Sequence, residues 1–158
     1  MNQGKISTLK SSEDDAGHFY KAKKKAALHF ANGMSDLKDI ENKEDIVALV
    51  DAFYGKVKND SLLAPVFASR IPADAWPAHL QRMYSFGSAL LFGERGFDGN
   101  PMQKHLSLPI DESHFVRWQQ LFYRTVDSLF KGSKADEAKR RAGSIAQIMQ
   151  FKLLTHRQ

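Results

Sequence analysis

Apolar residues recur every three or four positions in four long segments of the chain, and this spacing is typical of amphipathic α-helices. A residue that favours helix N-termini opens each segment: Asn42, Asp74, Asp111 and Ser133. No stretch of any length alternates strictly between apolar and polar residues, as a half-buried strand would. We therefore predict an all-α protein with four long helices.

Glycines mark where these helices end. The second helix is predicted to end before Gly93 and the third before Gly132. Ser133 and Asp136 have the spacing of a capping box at the start of the fourth helix. Between the first and second helices, residues 62–67 are predicted to form a short apolar turn.

Composition excludes several classes of protein. The 158 residues suffice for one domain with a real core, and they include no cysteine, which rules out disulfides and thiolate metal sites. The sequence contains neither a run of about 18 apolar residues, which would predict a membrane span, nor an apolar leader, which would predict secretion. We therefore expect a cytoplasmic protein. The net charge of +5 comes without a basic recognition motif, so no nucleic-acid partner is expected.

Residues 1–38 differ from residues 39–158. They contain a lysine cluster at 21–25 and few large aliphatic residues, with a weakly amphipathic stretch at 16–31. We interpret them as a basic N-terminal extension that is partly mobile or helical. An arm that binds a membrane surface or a partner is the alternative.

Residues 93–110 form a long connection, rich in glycine and proline, that surrounds His105. Connections of this length in a compact domain are uncommon and are often functional. No GxSxG, HExxH or phosphate-loop motif occurs in the chain, so hydrolase and nucleotide-binding signatures are missing.

Two of the six histidines lie in apolar surroundings. His105 lies beside Met102 and Leu106, and His79 lies within a face that we expect to be buried, formed by Trp76, Leu80, Met83, Phe86, Leu90 and Leu91. A buried imidazole needs a partner. Either an iron-bearing cofactor lies between His79 and His105, or each is a core histidine with its own partner, and the residues alone leave both interpretations open.

Several motifs follow one another in a set order. They are DAFYGKV at 51–57, LAPVF at 63–67, the helix from His79 to Gly93, GNPMQKHL at 99–106, HFVRW at 114–118 and RAGSIAQIMQF at 141–151. In this order they resemble the truncated haemoglobins of group III, over about residues 39–154. Residues 1–38 lie outside the resemblance.

The resemblance implies a shortened globin fold, in which two pairs of helices, two over two, enclose haem b. It makes His105 the proximal ligand of the haem iron, and it places Tyr54, His79 and Trp118 on the distal side, where they bind the ligand. The remaining residues assigned to haem contact are Phe67, Met83, Phe86, Met102 and Phe122. Basic residues near enough in sequence to meet the haem propionates are Arg82, Arg95, Lys104 and Arg117.

This resemblance predicts a protein that reversibly binds dioxygen, carbon monoxide or nitric oxide. Two alternatives remain: a haem enzyme that detoxifies nitric oxide or peroxide with electrons from a reductase, and a gas sensor that uses residues 1–38. The chain departs from the group at Gly87, where a second large aromatic residue is common. That departure predicts a roomier distal side.

Overall fold

A computed structural model describes residues 36–95 and 108–157 of the chain. Contacts divide the chain into two compact units, residues 1–37 and 38–158, and the helices described belong to the second. The predicted extension at 1–38 falls almost wholly outside the described residues, as do Met102, Lys104 and His105. Predictions about them stay predictions.

Five α-helices make up the described part of the second unit: α1 (Lys43–Lys58), α2 (Ala64–Arg70), α3 (Trp76–Phe92), α4 (Glu112–Leu129) and α5 (Ser133–His156). A short 3₁₀ turn, Ala73–Ala75, precedes α3. Residues 36–95 and 108–157 contain no strand, and the prediction of an all-α protein is confirmed. No helix in these ranges is long and apolar enough to cross a membrane.

The α2 helix was not predicted. Residues 62–67 were expected to form only a turn, but a seven-residue helix begins at Ala64. Pro65 lies in its first turn, where the missing proline N–H costs no hydrogen bond. The buried carboxylate of Asp60 accepts the backbone N–H groups of Leu62 and Leu63 at 3.2 and 3.0 Å, which stabilises the entry to the helix.

Helix ends follow the local sequence at three points. The Asn42 side chain accepts the backbone N–H of Asp45 at 3.0 Å, and that of Asp111 accepts the N–H of Ser113 at 2.9 Å. Both are N-caps, as predicted. Gly93 ends α3 with φ at +65°, a conformation that glycine adopts without strain.

The start of α5 differs from the prediction. Ser133 and Asp136 form no capping box, and the Asp39 carboxylate accepts the backbone N–H groups of Lys134 and Ala135 instead. Gly132 precedes the helix with φ at +148°, and a Cβ there would lie 2.4 Å from Asp39 Cγ. Both its conformation and its lack of a side chain are therefore required for the cap.

The α1 helix packs against α3 and α4, and α4 packs against α5, which is the two-over-two arrangement of the predicted fold. Gly87 lies where α3 approaches α1 closely, because a Cβ at this position would lie 2.9 Å from Ile46 Cγ2. The side chain of Ile46 therefore fills the space beside Gly87. The prediction that this glycine leaves the distal side roomier is wrong at this position.

Within residues 36–95 and 108–157, buried apolar side chains form three clusters. We call the second the aromatic cluster, because Phe53 and Tyr54 of α1 form its centre, with Trp118 and Phe122 of α4 packed against them. Trp118 also packs against the third cluster, which contains Leu108 and the inner faces of α4 and α5. The indole thus lies where the two clusters meet.

Candidate functional site

Tyr54 lies at the centre of the aromatic cluster. It is 8% exposed, and its ring makes edge contacts with Phe53 at 5.1 Å and Phe67 at 5.9 Å between ring centroids. Burial raises the pKa of the Tyr54 phenol well above its usual value, since a phenolate would be poorly solvated there. The hydroxyl therefore keeps its proton and stays a hydrogen-bond donor at any physiological pH.

His79 of α3 meets Tyr54 across the interface with α1. The ring centroids are 5.2 Å apart and the rings are nearly perpendicular, at 86°. These residues lie 25 positions apart in the sequence, and it is the packing of α3 on α1 that brings them together. The structure thus places two of the three predicted distal residues in direct contact.

Trp118, the third predicted distal residue, joins the cluster from α4. Its ring stacks on Phe122 at 5.8 Å, with 8° between the planes, and meets the edge of Phe53 at 5.8 Å. Phe53 in turn contacts Tyr54. The indole and the phenol therefore belong to the same cluster and are linked through Phe53.

Trp76 forms part of the wall of this cluster, a role that the site prediction missed. It lies one turn before His79 on α3, and its ring centroid is 5.6 Å from those of both Tyr54 and His79. The ammonium group of Lys58 lies 4.1 Å from the Trp76 ring centroid, on the solvent side of the half-buried indole. The spacing of three residues from His79 was the signal that could have identified it.

The predicted haem-contacting residues fall into three groups. Phe67, Met83 and Phe122 pack against the aromatic cluster, as does Leu80, which was not predicted. Phe86 is half-buried two turns beyond His79 on the same helix. Met102 and His105 lie outside the described residues.

The wider apolar face predicted for α3 is only partly correct. Its deeply buried residues are Tyr84, Ser88 and Leu91, of which only Leu91 was predicted. Trp76 and Met83 are only half-buried, and both pack against the aromatic cluster.

An ion pair between Asp60 and Arg117 borders the site. The Asp60 side chain is 4% exposed, and its Oδ1 accepts hydrogen bonds from Nε and Nη2 of Arg117 at 2.7 and 2.6 Å. Arg117, together with the backbone N–H groups of Leu62 and Leu63, holds the pKa of Asp60 below its usual value. This guanidinium, one of the four propionate candidates, is therefore already paired with a carboxylate.

The segment that follows residue 107 is held firmly in the core. Leu108 and Ile110 are buried in the third cluster, where Trp118 also packs. The guanidinium of Arg157 donates from Nη2 to the Leu108 carbonyl oxygen at 2.7 Å. His105 precedes this anchored segment by three residues in the sequence.

His114 has a structural role. Its Nδ1 accepts the backbone N–H of Asp111 at 3.1 Å, while Asp111 caps α4 in return. Within the described ranges, no group of three or more His, Cys, Asp or Glu side chains lies together in a way that could hold a metal ion. The described site is therefore an aromatic cluster that includes three side chains with polar groups: the Tyr54 hydroxyl, the His79 imidazole and the Trp118 indole.

Comparisons with protein families, with known proteins and with solved structures point to the same family. A model of the family described as bacterial-like globin matches residues 35–151. The Group 3 truncated hemoglobin ctb from Campylobacter jejuni is 31% identical over 112 residues, which cover 69% of this chain and 88% of that protein. The crystal structure of the group III truncated hemoglobin from Campylobacter jejuni superimposes with a TM-score of 0.68 and 31% identity, covering 72% of this chain and 92% of the other.

Proposed function

Because this chain belongs to the bacterial-like globins, as a truncated haemoglobin of group III, we propose that it binds haem b and uses it to bind dioxygen reversibly. The observation that carries the proposal is the contact between Tyr54 and His79 in a buried aromatic cluster. Carbon monoxide and nitric oxide, which are also small and diatomic, would occupy the same place. We propose the cytoplasm as its location, in keeping with a sequence that has no cysteine to oxidise.

The described residues fit the requirements of haem. A porphyrin is flat and apolar over most of its surface, and the aromatic cluster offers flat apolar side chains from four helices. We assign iron ligation to the imidazole of His105. Phe67, Met83, Phe86, Met102 and Phe122 would contact the macrocycle.

Haem, when bound, supplies an iron atom that binds a diatomic molecule and shifts negative charge onto it. The distal residues act on that charge. Tyr54 would donate its hydroxyl hydrogen, and Trp118 would donate its indole N–H. A hydrogen bond to a charged acceptor contributes about 1.5–3 kcal/mol, roughly a ten- to hundredfold gain in affinity for each donor.

The protonation state of Tyr54 suits this role. Burial raises its pKa, so the phenol does not ionise to a phenolate, whose negative charge would repel a partly negative ligand. The surrounding rings of Phe53, Phe67 and Trp76 keep water from competing for the same hydrogen. Two donors in such a site slow the release of dioxygen, which favours retention or chemistry over rapid delivery.

The first experiment is a haemin titration of the purified full-length chain, followed by absorption spectra of the ferric, reduced and carbon-monoxide forms. We expect stoichiometric haemin uptake and a Soret band that shifts when carbon monoxide binds. His105→Ala should lose the Soret shift that carbon monoxide produces when a histidine ligates the iron. His156→Ala, which changes an exposed histidine near the C-terminus, is the matched control and should behave as wild type.

A folded protein that takes up no haemin would contradict the proposal, and equal spectra for the two histidine variants would remove His105 as the iron ligand. A second measurement distinguishes binding from catalysis. Sustained consumption of nitric oxide by the dioxygen form, once a reductase is added, would favour the detoxifying enzyme. A single stoichiometric reaction would favour the binding protein.

A further inference from the structure

The C-terminal half of α5 exposes three large apolar side chains on one face. Ile148, Phe151 and Leu154 are 51%, 66% and 60% exposed, and they follow one another at steps of three residues. At 1.5 Å per residue the three span about 9 Å along the helix, which makes them neighbours. We call these three residues the α5 strip. Isolated exposed apolar residues are ordinary, but a contiguous strip marks an interaction surface.

The charged residues that accompany the strip on α5 itself are of one sign. Residues 138–158 contain five Lys and Arg residues and no Asp or Glu. Arg140 and Lys152 are exposed, and neither has an ion-pair partner within residues 36–95 and 108–157. On a helical wheel Arg140 projects within about 20° of Phe151, and Lys152 projects about 40° from Ile148, beside that edge of the strip. Arg140 and Lys152 therefore accompany the strip as two cations for which the described residues provide no ion-pair partner.

We propose that the α5 strip docks this protein on an anionic lipid surface. A helix lying in a membrane interface needs large apolar side chains on the lipid side, with Lys and Arg nearby to meet the headgroups. Phe151 and its two neighbours supply the first, while Arg140 and Lys152 supply the second. The net charge of +5 attracts the whole chain to the same surface.

A second copy of the chain fits the α5 strip less well. If two strips paired face to face, Arg140 and Lys152 of one chain would come close to the same residues of the other. Four cations without anionic partners would then be held together, and like charges at an interface oppose association. A surface of anionic headgroups meets the same cations favourably.

The direct test is sedimentation of the full-length protein with vesicles. We expect binding to vesicles that contain phosphatidylglycerol, weaker binding at high salt, and little binding to phosphatidylcholine alone. The double variant Phe151→Ser/Leu154→Ser should weaken binding by about tenfold or more, because two apolar side chains no longer enter the lipid. Val116→Ser, which changes an apolar residue of α4 that is 46% exposed, is the control and should bind as wild type.

Equal vesicle binding by wild type and the double variant would overturn the proposal, as would a wild-type protein that ignores phosphatidylglycerol. If sedimentation velocity shows a dimer that the double variant dissociates, the strip joins two copies and the proposal fails. Haemin uptake by each variant checks that it folds, so a failure of docking is distinct from a failure of the proposed haem function.

The absence of cysteine from the chain allows a second test. Phe151→Cys and the control Val116→Cys each introduce a single thiol for labelling with a maleimide. We expect both to react rapidly without vesicles, and only Cys at position 151 to be protected by phosphatidylglycerol vesicles. Slow labelling at position 151 in a monomer without lipid would show that another part of the chain covers the strip, which contradicts the proposal.

Discussion

The carboxylate of Asp39 caps α5 by accepting the backbone N–H of Ala135 at 2.8 Å, across 96 positions in the sequence. It also accepts the N–H of Lys134 at 2.9 Å. These amides belong to the first turn of the helix, where no intrahelical acceptor exists. Partial burial acts to raise the pKa of Asp39, but the backbone hydrogen bonds from Lys134, Ala135 and Ile40 outweigh it and lower that pKa.

Asp39→Ala should lower the free energy of unfolding by about 1–2 kcal/mol, because two N–H groups of α5 lose their acceptor and the helix dipole loses an anion. Urea unfolding followed by circular dichroism measures the change. Asp127→Ala removes an exposed carboxylate that pairs with Lys139 at 2.7 Å and should cost less than about 0.5 kcal/mol. Equal losses for the two variants would show that the Asp39 cap adds nothing beyond a surface ion pair.

Lowering the pH should reduce the free energy of unfolding, because the Asp60 carboxylate becomes protonated. Its pKa in the folded state lies below the unfolded value, chiefly because Arg117 hydrogen-bonds to the ionised carboxylate, so the unfolded chain binds more protons as the pH falls. The contribution of Asp60 is therefore complete above about pH 5 and declines as the pH falls through about 4 toward its folded pKa.

We expect Asp60→Asn to be less stable than wild type at neutral pH, and the difference to shrink steadily in acid. Urea unfolding of both proteins from neutral pH into acid gives the difference between their free energies of unfolding. The other carboxylates are the same in both proteins, so their effects cancel from this difference. If the difference in free energy of unfolding stays constant with pH, ionised Asp60 does not stabilise the fold as proposed.

Tyr54→Phe should speed dioxygen dissociation from the haem-loaded protein by about tenfold, since the variant keeps the ring and loses the hydrogen-bond donor. Stopped-flow mixing with carbon monoxide measures the off-rate. Tyr123→Phe is the control, because its hydroxyl bonds Gln119 at 2.8 Å on α4 instead. An unchanged off-rate in Tyr54→Phe would exclude the phenol from ligand stabilisation.

Trp76→Ala should speed the association of carbon monoxide after flash photolysis, because the variant removes a half-buried indole that packs against both Tyr54 and His79. Lys58→Met should produce a smaller increase, about two- to fivefold, since a cation–π contact of about 0.5–1 kcal/mol is removed from the outside of the ring. Lys56→Met changes an exposed lysine of the same helix and should leave the rate as it is. If all three variants associate alike, ligand does not enter past Trp76.

The positions of the long helices follow from local sequence. Asn42 and Asp111 cap the helices that they precede, and Gly93 ends the helix before it, because each acts on backbone groups within four residues of itself. Such interactions can therefore be predicted from the local sequence without knowing the rest of the fold. The apolar periodicity of α1 likewise predicts which face of this helix is buried.

Tertiary structure alone decided the contacts that join these helices. Asp39 replaces the predicted cap of α5, Ile46 fills the space beside Gly87, and Asp60 binds Arg117 across 57 positions. No spacing rule relates residues so far apart, because their distance depends on how α1 packs against α3 and α4. The sequence determined which side chains could donate to a ligand, and packing determined that Tyr54, His79 and Trp76 meet in one buried cluster.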